Sequence, residues 1–143
     1  MILPGRIFVD TSFFIALLNS RDADHAVAIL LQEHTVKQQT HKITSEYVLL
    51  ELCDGLAKLR HRNLAVQIIH LLNGDNLFEI VRTSHEIWRK AWNLYMARAD
   101  KEWGLTDCTS FVIMERMGLD SAFTADQHFR QAGFQAMLLN QND

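Results

Sequence analysis

Cysteine is scarce. Cys53 and Cys108 are the two in the chain, far apart and without a C-x-x-C partner. That excludes a disulfide framework and a zinc knuckle. Both fall in apolar helical settings, which predicts buried free thiols and a reducing compartment, the cytoplasm. No stretch approaches 18 uninterrupted apolar residues, so no membrane span is expected. The N-terminus lacks a basic segment followed by a long apolar run, so no signal peptide is visible. Excess positive charge is missing too: 14 Lys and Arg face 17 Asp and Glu, for a net charge of −3. A protein that coats nucleic acid through bulk charge is excluded, although a local basic patch is not. G-x-S-x-G, Walker A and G-x-G-x-x-G are absent. His85-Glu86 does not open a zinc-protease motif, because position 89 is Arg rather than His.

What remains is globular in composition, with 48% apolar and 22% charged residues in 143. That is one domain's worth, residues 1–143, large enough to own a core. Pro4-Gly5 marks a turn. Strands are expected over residues 6–9, 43–44, 77–82, 121–124 and 137–139. Helices are expected over residues 13–18, 22–39, 45–59, 62–72, 84–100, 106–117 and 126–132. A polar connector spans residues 100–104. No internal repeat, low-complexity tract or linker interrupts the pattern. Short strands alternating with helices indicate a mainly parallel sheet covered on both faces, a three-layer α/β/α sandwich.

Right-handed crossovers bring every strand C-terminus and every helix N-terminus to one sheet edge, where ligands of open α/β sheets bind. Asp10 ends the first strand. Asp107 opens the helix before the strand at 121–124, and Asp126 follows that strand. Glu51 lies about 9 Å along the helix after residues 43–44. Four carboxylates from distant segments are thus expected at one edge. Taken singly, Asp10, Asp107 and Asp126 are each explained as helix N-caps. Glu51 is as well explained by a solvated face, and Glu46 by the helix dipole. Jointly they repel: two unit charges 4 Å apart interact by about 4 kcal/mol at an effective dielectric near 20. A hard divalent cation with oxygen ligands relieves that.

The stretches Ile7-Phe-Val-Asp-Thr-Ser12, Ile43-Thr-Ser-Glu-Tyr-Val-Leu-Leu-Glu51, Leu105-Thr-Asp-Cys-Thr-Ser-Phe111 and Phe123-Thr-Ala-Asp-Gln-His-Phe129 resemble the PIN-domain ribonucleases, and among them the VapC-type toxins. The resemblance spans essentially the whole chain, in the family's order. It implies the α/β/α fold and Mg2+- or Mn2+-dependent cleavage of single-stranded RNA or exposed RNA loops. Asp10, Glu51, Asp107 and Asp126 match the family's acidic quartet, and Ser12 and Thr106 fall where small hydroxyl residues support it. Because Mg2+ takes one or two direct carboxylates and keeps several waters, Asp10 and Asp107 are assigned as direct ligands. Glu51 and Asp126 then act through water or hold a second ion. The resemblance also implies a small cognate antitoxin and a homodimer.

Other features weigh less. Residues 58–62, Lys-Leu-Arg-His-Arg, form the one dense basic cluster. It suits RNA phosphates and equally a solvated helix C-terminus. Trp88, Trp92 and Tyr95 recur at helical spacing, which indicates a core or dimer stripe. Trp103, in the polar connector, is the better base-stacking candidate. The histidines other than His85 show no ligand-like pairing. A PIN-like module that binds RNA or protein without cutting would tolerate loss of an acid, but all four are present. A receiver-like signalling domain would want adjacent acids after the first strand and a lysine after the last. Asp10-Thr11 and residues 137–140 supply neither.

Overall fold

The structure, a computed structural model, describes residues 1–139; the last four residues of the expected domain, including Asn140, lie outside it. β1 (Arg6–Val9) is the centre of the sheet, and its Ile7, Phe8 and Val9 are completely buried. Such a continuous apolar run is what a strand covered on both faces requires. β2 (His41–Ser45) and β4 (Ser121–Phe123) flank it, β3 (Phe78–Val81) lies outside β2, and β5 (Gln135–Ala136) lies outside β4. The order is β3-β2-β1-β4-β5 and all pairings are parallel. Register aligns Phe8 with both Ile43 and Ala122. The Asp10 amide extends the β1–β4 ladder by donating to the Phe123 carbonyl at 3.1 Å.

Among the described residues, seven helices cover this sheet: α1 (Thr11–Leu18), α2 (His25–Gln38), α3 (Glu46–Gly55), α4 (Leu59–Asn73), α5 (His85–Ala97), α6 (Leu105–Met117) and α7 (Gln127–Gln131). The result is the expected α/β/α sandwich. Ser45 caps α3 by accepting from the Val48 amide, and Ser84 caps α5 by accepting from Ile87. Gly118 closes α6 in the left-handed region at φ 66°, where a side chain would be strained. Phe129 is fully buried and packs edge-on against Phe111, with centroids 5.0 Å apart, which anchors short α7 to α6.

Three expectations shift. The last strand is residues 135–136, not 137–139. Gly133, at φ 95°, turns the chain immediately after α7, so pairing with β4 begins at once. Residues 137–139 look strand-like because they are apolar, and Leu138 is indeed buried, but they form a turn. The helix expected over 45–59 stops at Gly55, and α4 begins at Leu59 instead of residue 62. This puts Lys58 at the N-cap of α4 and Arg60 and Arg62 in its first turn. The basic cluster therefore lies at a helix N-terminus, where the dipole disfavours cations, and not at a C-terminus. Finally, the α5 aromatic stripe is not core. Trp88, Trp92 and Tyr95 are 46%, 42% and 45% exposed. Their rings stack face to face along the helix, 6.3 and 5.7 Å apart and within 15° of parallel.

Candidate active site

Asp10 is the first residue past β1 and holds the N-cap position of α1, yet its side chain makes no capping bond. Its Oδ2 instead accepts from Thr124 Oγ1 at 2.8 Å and Ser12 Oγ at 3.3 Å. The residue is only 5% exposed. Burial pushes its pKa up to about 6; the hydrogen bonds oppose the rise, and the charges of Asp107 and Glu51 add to it. The helix-cap explanation therefore fails for this acid. A desolvated carboxylate without a side-chain capping bond is a candidate functional group.

Asp107 lies one turn into α6. Its Oδ2 accepts from the Gly104 amide at 3.2 Å and lies 2.9 Å from His128 Nδ1. Burial holds its pKa above the usual carboxylate range, against the His128 hydrogen bond, and the Asp126 charge adds to the rise. Asp126 does cap its helix: Oδ1 accepts from the His128 amide at 2.8 Å. The same oxygen is 3.3 Å from His128 Nδ1. Glu51, in the middle of α3, is exposed, and its charge is felt at Asp10. Charge links the acids pairwise, Glu51 and Asp107 acting on Asp10 and Asp126 on Asp107, whereas the close grouping among the described residues is Asp107, Asp126 and His128, without Asp10 and Glu51.

Two residues that sequence reasoning passed over join them. Thr124, fully buried at the end of β4, donates to Asp10 and accepts from the Asp126 amide at 3.1 Å. Ser12 completes this bridge, since its Oγ accepts from the Ala125 amide at 3.0 Å. The other residue is His128, which corrects the expectation that the histidines lack ligand-like pairing. Ligand atoms of Asp107, Asp126 and His128 all lie within 4.8 Å of one another. Burial lowers the imidazole pKa, but the Asp107 hydrogen bond and the charges of Asp126, Asp107 and Glu102 outweigh it, and the net direction is upward. An Asp-x-His step directly after a strand was the available signal: the Asp caps the helix and turns the imidazole back over itself. Thr106 shows its carbonyl accepting from Thr109 Oγ1 at 2.6 Å.

Trp103 does not offer a free face to a base. It is buried, its Nε1 donates to Gln131 Oε1 at 2.9 Å, its ring stands edge-on to Phe111, and Arg98 stacks 4.9 Å from its centroid.

The donor set is that of a divalent-cation site: several carboxylate oxygens and an imidazole, partly desolvated. Two buried hydroxyls, Thr11 Oγ1 and Ser110 Oγ, have no hydrogen-bond partner among the described residues. Thr11 directly follows Asp10, and Ser110 is one turn past Asp107, so polar capacity beside the acids is left unused. These residues fit a hydrated metal ion.

The family model of the PIN domain matches residues 7–135. VapC20 of Mycobacterium tuberculosis, a 23S rRNA-specific endonuclease, is 32% identical over 131 residues, covering 90% of this chain and 95% of that protein. This chain belongs to the PIN-domain ribonucleases of the VapC toxin family. The crystal structure of VapC20, described as a Sarcin-Ricin loop cleaving toxin, superposes with a TM-score of 0.77 at 28% identity, over 90% of this chain and 95% of that one. FitAcB from Neisseria gonorrhoeae shares the fold, with a TM-score of 0.60 at 20% identity over 91% and 94% of the two chains. Asp10 and Thr124 meet at the C-terminal edge of β1 and β4.

Proposed function

We propose that this endoribonuclease is divalent-metal-dependent, cuts an exposed loop of ribosomal RNA, and is the toxin of a toxin–antitoxin pair. The observation that carries the metal dependence is the Asp10 carboxylate, buried, without a side-chain capping bond and facing the charges of Asp107 and Glu51. Asp10 and Asp107 would hold Mg2+ or Mn2+ directly, and Glu51 and Asp126 would hold and orient its water. When bound, the ion supplies Lewis-acid stabilisation to the phosphoryl oxygens and lowers the pKa of bound water. The chain's own work is positional. Thr124 and Ser12 fix the Asp10 carboxylate, Gly104 fixes Asp107 through its amide, and α7 presents Asp126. Fixed geometry of this kind is what in-line displacement at a phosphodiester needs.

The ribosomal substrate rests on the likeness to VapC20, and the antitoxin on family membership. A homodimer through the α5 stripe rests on its three exposed, mutually stacked rings, an apolar face that a lone chain leaves wet. Among the described residues no helix is long and apolar enough to cross a membrane, and a cytoplasmic setting suits a ribosomal target.

The test is cleavage of purified ribosomes by the protein in Mg2+ or Mn2+, mapped by primer extension along 23S rRNA. Asp10→Asn and Asp107→Asn are each expected to abolish the cut. Cleavage that survives chelation, or survives both substitutions, would remove these acids from the mechanism.

A further inference from the structure

We propose that His128 is a direct nitrogen ligand of the divalent ion, and that it sets the centre's preference for Mn2+ over Mg2+. The inference rests on the metal-dependent reading above.

Ligand atoms of Asp107, Asp126 and His128 lie within 4.8 Å of one another, close enough to surround one ion and its water. His128 Nδ1 lies 2.9 Å from Asp107 Oδ2 and 3.3 Å from Asp126 Oδ1. With bonds of about 2.1 Å, neighbouring ligands of an octahedral ion sit roughly 3.0 Å apart. The same separations also suit hydrogen bonds, and imidazole and carboxylates exchange that bond for a shared ion with little movement.

The imidazole is also held in place. Asp126 Oδ1 accepts from the His128 amide at 2.8 Å, which fixes the first turn of α7. The next residue, Phe129, is fully buried against Phe111 and Phe8, so the helix cannot slide. At Asp10, by contrast, Oδ2 is already engaged by two hydroxyls. The ring nitrogen therefore faces the Asp107 carboxylate directly, with the water-holding Asp126 oxygen beside it.

Ligand chemistry gives the consequence. Mg2+ is a hard ion that favours carboxylate and water oxygens, and imidazole nitrogen adds little to its binding. Mn2+ accepts imidazole more readily. Mn2+ also favours oxygen, but as a first-row transition ion it tolerates one imidazole nitrogen better than Mg2+ does, so the nitrogen should favour Mn2+.

The experiment uses the metal-free full chain. Mn2+ and Mg2+ affinities are measured by calorimetry for the wild type, His128→Asn and His128→Gln, with thermal unfolding as the check on folding. Pulsed electron paramagnetic resonance of the Mn2+-loaded proteins reads nitrogen coordination directly. The wild type is expected to show 14N coupling, and both variants to lose it. Mn2+ binding should weaken at least about tenfold, the scale seen for lesser changes around metal sites, while Mg2+ binding changes by less than about threefold. Mn2+ bound without nitrogen coupling, or equal weakening of both ions, overturns the His128 assignment and leaves the carboxylate centre intact. Failure of the wild type to bind Mn2+ at all overturns the metal-dependent reading, and this assignment with it.

Discussion

Thr124 Oγ1 donates to Asp10 Oδ2 at 2.8 Å and accepts from the Asp126 amide at 3.1 Å, so one buried hydroxyl ties two of the four acids together. Thr124→Val keeps the shape and removes both bonds. Asp10 then loses its nearest donor while still buried, at a cost of about 1–3 kcal/mol. Denaturant unfolding of the metal-free protein at pH 8 should show that loss, with reduced cleavage. Thr124→Ser should recover most of both. If Thr124→Val unfolds like the wild type, the hydroxyl contributes nothing to holding the carboxylate.

Stability of the metal-free protein should fall as pH rises from 5 to 8. Asp10 titrates at about 6 in the folded chain because burial disfavours its charged form, whereas an unfolded aspartate titrates near 3.9. Between those values the folded state holds a proton that the unfolded state has released. Its contribution is complete below about pH 4 and is lost as pH climbs through 6. Asp107 is raised as well, and the raised His128 contributes in the same direction above its unfolded value. From Asp10 alone the loss between pH 5 and pH 8 is about 1–2 kcal/mol. Millimolar Mn2+ or Mg2+ should remove most of it. Unfolding midpoints that are flat across this range without metal would show that these acids are well solvated.

Asp10→Asn separates crowding from capping. At pH 8 the substitution removes a buried charge that faces Asp107 and Glu51, so the metal-free variant should unfold about 1–2 kcal/mol later than the wild type, while cleavage is abolished. At pH 5, where much of Asp10 is already protonated, the gain should shrink. Equal stability at both pH values would mean that desolvation of Asp10 is small.

The sheet and its acidic edge were legible because each depends on short-range pattern. The apolar run at residues 7–9 demands a strand buried on both faces, and the strand–helix alternation brings Asp10, Asp107 and Asp126 to one edge. Position alone could not tell a cap from a ligand. Asp10 and Asp126 hold the same N-cap place, yet only Asp126 makes the side-chain capping bond. That difference comes from Thr124, more than 100 positions from Asp10 in sequence. Asp-x-His made the pairing of His128 with Asp126 readable, but not its contact with Asp107, which comes from another helix. The Leu56–Lys58 break hid inside a continuous helical pattern and moved the basic cluster to the opposite end of a helix.

That displaced cluster leads to a prediction about RNA. Lys58 and Arg60 stand at the N-terminus of α4, where each cation costs about 0.3–1 kcal/mol against the helix dipole. The dipole gives them no stabilising role there, and phosphate contact is the role to test. Lys58→Ala with Arg60→Ala should raise KM for RNA, leave kcat unchanged and reduce the salt dependence of binding by about two phosphate contacts. Thermal stability should rise slightly. Arg62 is left out because its guanidinium donates to the Ala57 carbonyl at 2.9 Å. An unchanged salt slope would make the cluster an ordinary solvated surface.

The α5 stripe makes its own prediction about assembly. Trp88, Trp92 and Tyr95 present near-parallel rings to solvent, and Met96 beside them is 53% exposed. Covering such a face is the main driving force available for association, at about 25 cal/mol per Å² of apolar surface. Trp92 stands in the middle of the stack, so Trp92→Glu places a charge where the second copy must dock. Sedimentation velocity should show a dimer for the wild type and a monomer for the variant at the same micromolar concentration. Metal-free unfolding should change by less than about 0.5 kcal/mol if measured where both are monomeric. A wild type that sediments as a monomer at high concentration would leave the stripe for the antitoxin or the ribosome to cover, and the dimer would be withdrawn.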